Sequence, residues 1–254
     1  MGEAWITPDE IRDAVQTGDG EGVRIAILDS GVDTTHPKLA GMNLADDVAI
    51  VSEGGRVRVK EESDGDVFGH GTAVAGILHN SAPRATLGSF RVLGHFKESR
   101  AAVIREGVRQ AARRGYHIVQ CSFGAPARPR DAAIYKGWID ALYLRRIHIV
   151  AAGSNSGFQT AEWPAHFPTV IGVGADPLNR DHLSLATEGL VEFSTRAEEP
   201  KALWPGGGTR QLVGSSFAAP RVAGWLARIL SKHPGLHPLL AKAALRVAAE
   251  TSEA

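Results

Sequence analysis

Short runs of β-branched and aliphatic residues, separated by amphipathic stretches, restrict this sequence to few folds. Residues 23–28 read Val-Arg-Ile-Ala-Ile-Leu, and 86–93, 117–121, 148–152 and 169–173 follow the same pattern less cleanly. Such short apolar runs suit strands buried on both faces, as in a parallel sheet. Residues 100–114 place Ala101, Ile104, Val108, Ala111 and Ala112 on one stripe, with Arg105, Arg109 and Arg113 outside it, which is helical spacing. Residues 131–145, 216–232 and 239–250 also read as helices, and another is expected to start at His70. Strand and helix alternate, so the expected fold is α/β, three-layered, with a mostly parallel central sheet and helices on both faces. Residues 43–66 are polar and irregular, with a hairpin expected between 48–51 and 56–59 around Gly54-Gly55.

The chain has 254 residues, 43% of them hydrophobic, enough for one sizeable core. The expectation is a single domain over 1–254, with 1–20 as a peripheral N-terminal segment. Lys plus Arg and Asp plus Glu each number 28, a balance that gives no support for attraction to nucleic acid or a membrane surface. The one cysteine, Cys121, allows no intrachain disulfide and is compatible with a reducing compartment. No basic segment followed by an apolar stretch opens the chain, and no run is long and apolar enough to span a bilayer. These features lead to the expectation of a cytoplasmic protein.

Three small-residue motifs hold an acid, a base and a hydroxyl in that order. Asp29 directly follows the run 23–28, in Ala26-Ile27-Leu28-Asp29-Ser30-Gly31-Val32. The carboxyl end of a parallel strand is where α/β folds place their chemistry. Taken alone, Asp29 reads equally well as a turn aspartate capping Ser30-Gly31. His70 is one of ten histidines, but it sits in Gly69-His70-Gly71-Thr72-Ala73-Val74-Ala75-Gly76, whose small residues let a helix approach a sheet closely. An imidazole titrating near neutrality can act as base and then as acid. Ser216, in Gly214-Ser215-Ser216-Phe217-Ala218-Ala219-Pro220, is expected at a helix N-terminus, where free amides and the dipole favour an anion. Pro220 is expected in the first turn, where a missing N–H costs little. Ser215 or Ser216 alone would also serve as an N-cap. An Asp, His, Ser set in this order has the composition of a catalytic triad.

With these motifs the chain resembles the subtilisin-like serine proteases (subtilases), from about Val23 to about Val247. The resemblance implies that Ser216 is the nucleophile, His70 its base and Asp29 the residue that orients His70. It implies an oxyanion donor in Val150-Ala151-Ala152-Gly153-Ser154-Asn155-Ser156-Gly157, namely Asn155, although the family usually has Gly where this chain has Ser154. Ser122-Phe123-Gly124 resembles the segment along which a peptide lies as an added strand. Cys121, just before it, is expected to be buried and inert. Residues 163–175 resemble the far wall of the pocket for the residue before the cut. That register puts Glu162 at the pocket base, where a carboxylate would favour Lys or Arg. Phe68 is expected to shape the next pocket. The acidic group Glu61, Glu62, Asp64 and Asp66 is expected to be a solvated loop.

The run Ile77-Leu78-His79-Asn80 continues into Ser81-Ala82-Pro83 without the calcium-binding insertion of secreted relatives, so neither metal nor cofactor is expected. A compact, intracellular type of subtilase is the expectation, acting on a peptide or protein substrate, with a dedicated partner protein left open. The leading expectation is a serine endopeptidase. The alternatives are a peptide ligase or macrocyclase using the same acyl-enzyme, and a non-catalytic peptide-binding module.

Overall fold

A computed structural model describes residues 6–62, 64–156, 160–186 and 190–252. Its α-helices are α1 (Pro8–Thr17), α2 (His70–Ser81), α3 (Ala101–Arg113), α4 (Pro129–Leu144), α5 (Ser215–Lys232) and α6 (Pro238–Ser252). The strands of the main sheet are β1 (Arg24–Asp29), β2 (Leu44–Glu53), β3 (Arg56–Lys60), β4 (Thr86–Arg91), β5 (Ile118–Cys121), β7 (His148–Ala152), β9 (Ile171–Ala175), β10 (Ser184–Leu185) and β11 (Phe193–Thr195). Two ribbons lie outside it: β6 (Ala125–Pro126) with β8 (Glu162–Trp163), and β12 (Glu198–Trp204) with β13 (Gly208–Val213).

The main sheet runs β10-β11-β9-β7-β5-β1-β4-β2-β3. All pairs are parallel except the outer ones, β10 with β11 and β2 with β3. Alternate residues of one strand enter opposite cores, because successive side chains leave opposite faces of a strand. Ile25 and Ile27 of β1 join α1, α2, α5 and α6 in one cluster, while Ala26 and Leu28 join α3 and α4 in the other. This is the three-layer α/β architecture expected from the alternation of runs. Leu28 is in register with Cys121, and Cys121 with Ala151, so β1, β5 and β7 end side by side.

The expected strand at 169–173 begins two residues later, at Ile171. The reason is a turn: the Val170 N–H donates to the Phe167 carbonyl, which keeps Val170 out of the sheet ladder. Within the segment 1–20, α1 starts with a capping box in which the Thr7 side chain accepts from the Glu10 N–H and Glu10 accepts from the Thr7 N–H, with Pro8 in the first turn. Its Ile11 and Ala14 are buried against α5 and α6. Among the described residues no helix is long and apolar enough to cross a membrane.

Candidate active site

Asp29 is the last residue of β1 and is 1% exposed. Its Oδ1 accepts the Ser30 N–H at 2.8 Å, and its two oxygens lie 2.8 and 2.9 Å from Nδ1 of His70. A carboxylate on Nδ1 assigns the ring proton to that nitrogen and leaves Nε2 as an acceptor. His70 is the first residue of α2, and Gly71 is what lets that helix come so close. A Cβ on Gly71 would lie 2.0 Å from the Gly31 carbonyl oxygen and 3.2 Å from the Asp29 Cβ. The small-residue motif around His70 therefore acts as expected, by bringing a helix end onto a strand end.

The expected solvated acidic loop contains one residue of a different kind. Glu61 is exposed and pairs with Arg114 at 2.9 Å, and Asp64 approaches Arg91 at 3.9 Å. Asp66 turns inward. Its Oδ1 accepts the Ser30 hydroxyl at 2.7 Å and the Phe68 and Gly69 N–H groups at 3.0 and 2.6 Å. Its Oδ2 accepts the Thr72 N–H at 2.8 Å and the Thr72 hydroxyl at 2.6 Å. The Ser30 hydroxyl in turn accepts the Gly71 N–H at 3.0 Å. One carboxylate thus ties the start of α2 to the residue after Asp29. The sequence did carry a signal, an acidic residue just before a helix start, which suits unpaired N–H groups.

Ser216 is the second residue of α5. Its hydroxyl donates to the Ser122 carbonyl at 3.1 Å, and among the described residues it makes no hydrogen bond to His70. The imidazole is nevertheless beside this helix end, its ring centroid 5.2 Å from that of Phe217. Pro220 is not in the first turn as expected; it is the sixth residue of α5, because the helix already starts at Ser215. Proline has no N–H to give the carbonyl four residues back, which here belongs to Ser216. The Ser122 hydroxyl donates to that carbonyl instead, at 2.7 Å, while accepting from Gln120 Nε2 at 2.6 Å. Ser122 follows β5 directly, so the segment expected to bind peptide also anchors the helix that carries Ser216.

Asn155 lies just past the end of β7. Its Oδ1 accepts the Ser215 N–H at 2.8 Å, and the Ser215 hydroxyl donates to the Gly153 carbonyl at 2.6 Å. With Oδ1 so engaged, the Nδ2 group of this exposed side chain has no hydrogen-bond partner among the described residues. Gly214 packs beside this amide, where a Cβ would meet Nδ2 at an ordinary 3.4 Å, and its φ of 149° is what favours glycine there. Ser154, where a glycine is usual, only closes a local turn by accepting the Ser156 N–H at 3.0 Å. Gly157, the end of that segment, lies outside the described residues.

On the other side of Ser122, β6 pairs with β8 so that Pro126 faces Glu162 and Ala125 faces Trp163. A Cβ on Gly124 would lie 2.1 Å from Glu162 Oε2, so the carboxylate occupies the space that this glycine leaves. Among the described residues the Glu162 carboxylate has no cation or hydrogen-bond partner. Phe123 is half-buried against the core formed with α3 and α4. Phe68 is half-buried and meets Trp204 edge to face, with centroids 5.9 Å apart. Cys121 is buried and free, and burial, with the nearby Asp29, pushes its thiol well above the usual range. Among the described residues no three His, Cys, Asp or Glu side chains are grouped to hold a metal ion.

Known proteins resemble this chain over most of its length. The model of the subtilase family matches residues 20–254. Subtilisin BL from Lederbergia lenta is 31% identical over 225 residues, which cover 85% of this chain and 78% of that protein. An alkaline protease from Alkalihalobacillus alcalophilus is 31% identical over 225 residues, covering 85% of this chain and 56% of that protein. The chain therefore spans little more than half the length of the latter relative. A solved structure, that of a cold adapted subtilisin-like serine proteinase, superposes with a TM-score of 0.75 at 23% identity, covering 89% of this chain and 82% of that one.

Proposed function

This chain belongs to the subtilase family, and from that premise we propose that it is a serine endopeptidase with Ser216 as nucleophile, His70 as base and Asp29 as the residue that orients His70. One observation carries the proposal: the buried Asp29 carboxylate holds His70 through Nδ1, at 2.8 and 2.9 Å, beside the helix end that bears Ser216. In the resting arrangement the Ser216 hydroxyl donates to Ser122. Catalysis begins when rotation about the Ser216 Cα–Cβ bond, between staggered positions, turns the hydroxyl towards the imidazole. Such hydrogen bonds commonly tighten only when substrate is bound.

The steps then follow from the groups present. Ser216 Oγ bonds to the peptide carbonyl carbon, and its proton passes to His70 Nε2. The charge developing on the carbonyl oxygen is held by the Ser216 N–H and by Asn155 Nδ2, whose amide is already oriented through Oδ1. The carbon–nitrogen bond breaks as His70 returns the proton to the leaving amine. Water, giving its proton to His70, hydrolyses the acyl-enzyme and frees Ser216. The substrate is a peptide laid along Ser122-Phe123-Gly124, and Glu162 favours a basic residue before the cut. The unpaired carboxylate against Gly124 supports that preference.

A fluorophosphonate probe tests the nucleophile. Wild type is expected to be labelled and Ser216→Ala to be unlabelled. Labelling of both, or of neither when circular dichroism shows folded protein, rejects the reading. The mass of products from a peptide substrate separates hydrolysis from ligation or cyclisation.

A further inference from the structure

We propose that Arg210, stacked on Trp204 next to His70, binds an acidic side chain of the peptide on the leaving-group side of the cut; this rests on the endopeptidase reading. Trp204 ends β12, and Arg210 lies on the paired strand β13, which leads through Val213 into Gly214 and Ser216. The indole of Trp204 occupies the space a side chain would need at Gly69. A Cβ there would lie 2.4 Å from the ring atoms. Trp204 therefore touches the residue just before His70. The Arg210 guanidinium carbon sits 4.1 Å from the Trp204 ring centroid, a stack that holds the flat cation in place while leaving its edge open.

Arg210 is exposed, and among the described residues it has no carboxylate partner. Nearby arginines are engaged: Arg221 is paired with Glu199 and Asp181, and Arg196 with Asp181. The Lys97 ammonium lies 5.3 Å from the centroid of Phe68, the ring that meets Trp204 edge to face, and it too has no carboxylate partner among the described residues. Among the described residues, charge is thus separated across the site, with the unpaired Glu162 carboxylate beside Gly124 and the unpaired Arg210 on the indole beside Gly69.

The side follows from the chemistry. His70 gives its proton to the leaving amine, so the residues after the cut pass His70 and its neighbour Gly69, where Trp204 and Arg210 stand. A guanidinium edge presents two parallel N–H donors that fit a carboxylate. No basic residue meets either requirement at this position, so Asp or Glu is the class of side chain expected after the cut.

The test uses peptides with Lys just before the cut, in which Glu or Lys replaces Gln at each of the three positions after the cut and each of the three before that Lys. Wild type is expected to favour Glu over Gln at one position after the cut by about threefold to fivefold in kcat/KM, the range of an exposed ion pair. The preference should shrink at about 0.5 M salt, vanish in Arg210→Gln and turn towards Lys in Arg210→Glu. Ser216→Ala supplies a second readout that needs no turnover: anisotropy of labelled Glu and Gln peptides should show the same ratio in Kd, lost in Ser216→Ala combined with Arg210→Gln. No Glu preference at any position, a preference confined to positions before the cut, or one that persists in Arg210→Gln overturns the proposal. An inactive wild type with Arg210-dependent binding overturns the peptidase reading alone.

Discussion

Replacing Asp66 with alanine removes the one acceptor shared by five donors around the start of α2. Three are backbone N–H groups, of Phe68, Gly69 and Thr72, and two are hydroxyls, of Ser30 and Thr72. Loss of a side-chain acceptor for the first N–H groups of a helix costs about 0.5–2 kcal/mol. Hydrogen bonds to a charged acceptor are worth about 1.5–3 kcal/mol each, but hydroxyls rotate and half-buried groups regain water, which lowers the net figure. The expected loss is about 3 kcal/mol, a large part of the 5–15 kcal/mol of a typical domain. Asp66→Asn is expected to fall nearer alanine than wild type. Its amide nitrogen must face either the Ser30, Phe68 and Gly69 donors or the two Thr72 donors, and no rotation serves both sets.

Urea unfolding followed by circular dichroism measures the loss as a lower midpoint at unchanged slope. The functional consequence is separate and stronger. Gly71 is anchored on Ser30, and Gly69 and Thr72, on either side of His70, on Asp66, so without Asp66 the start of α2 is expected to hold the imidazole less firmly on Asp29. The rate of fluorophosphonate labelling at Ser216, measured where the variant is still folded, should drop at least tenfold. A stability loss below about 1 kcal/mol refutes the energetic reasoning. A normal labelling rate in a destabilised variant refutes the claim that Asp66 positions His70.

Two further outcomes are expected. In Glu162→Gln, preference for Lys or Arg over Met before the cut should fall about tenfold in kcat/KM on a peptide library, and an unchanged profile would reject the pocket assignment. His148 gives a pH dependence. It is 3% exposed, its Nδ1 has no hydrogen-bond partner among the described residues, and burial, with His117 and His237 nearby, holds it down at about 4. Because the folded value lies below the unfolded one, near 6.5, the unfolded chain binds the proton first. Stability is full above about 6.5 and is lost as pH falls towards about 4, by at most about 3 kcal/mol. His148→Gln should flatten that part of the urea midpoint against pH, and an equally steep fall in the variant would reject His148 as its source.

How much of this was legible in the sequence depends on the range of each interaction. The parallel strands and the helices that cover them are marked by runs of apolar residues, and their centres fall where the runs do. Boundaries were less legible, because they are set by single hydrogen bonds such as that from Val170 to Phe167. The α1 helix is marked by Thr7, Pro8 and Glu10, a local signal with no long apolar stripe beside it. The close approach of α2 to β1 was legible in the small residues around His70, because it requires them at fixed positions, Gly71 above all. The role of Asp66 was hidden among neighbouring acids of the same composition, since only the fold separates one that turns inward from those that face water.

Pro220 makes the physical distinction sharpest. Read locally, a proline near a helix start signals a harmless missing N–H. Read in three dimensions, it removes a donor from the Ser216 carbonyl, and the vacancy is filled by Ser122, a residue 94 positions away that follows β5. The Ser216 hydroxyl donates back to the Ser122 carbonyl, so the two serines form a reciprocal pair. One consequence bears on the proposed function: two hydrogen bonds couple the backbone proposed to receive substrate to the helix that carries Ser216. A side chain at position 122 without a hydroxyl would leave the Ser216 carbonyl without its donor and loosen both together. No sequence pattern encodes that link, because its two halves are ordinary residues until the sheet sets β5 beside β1 and brings α5 across their ends.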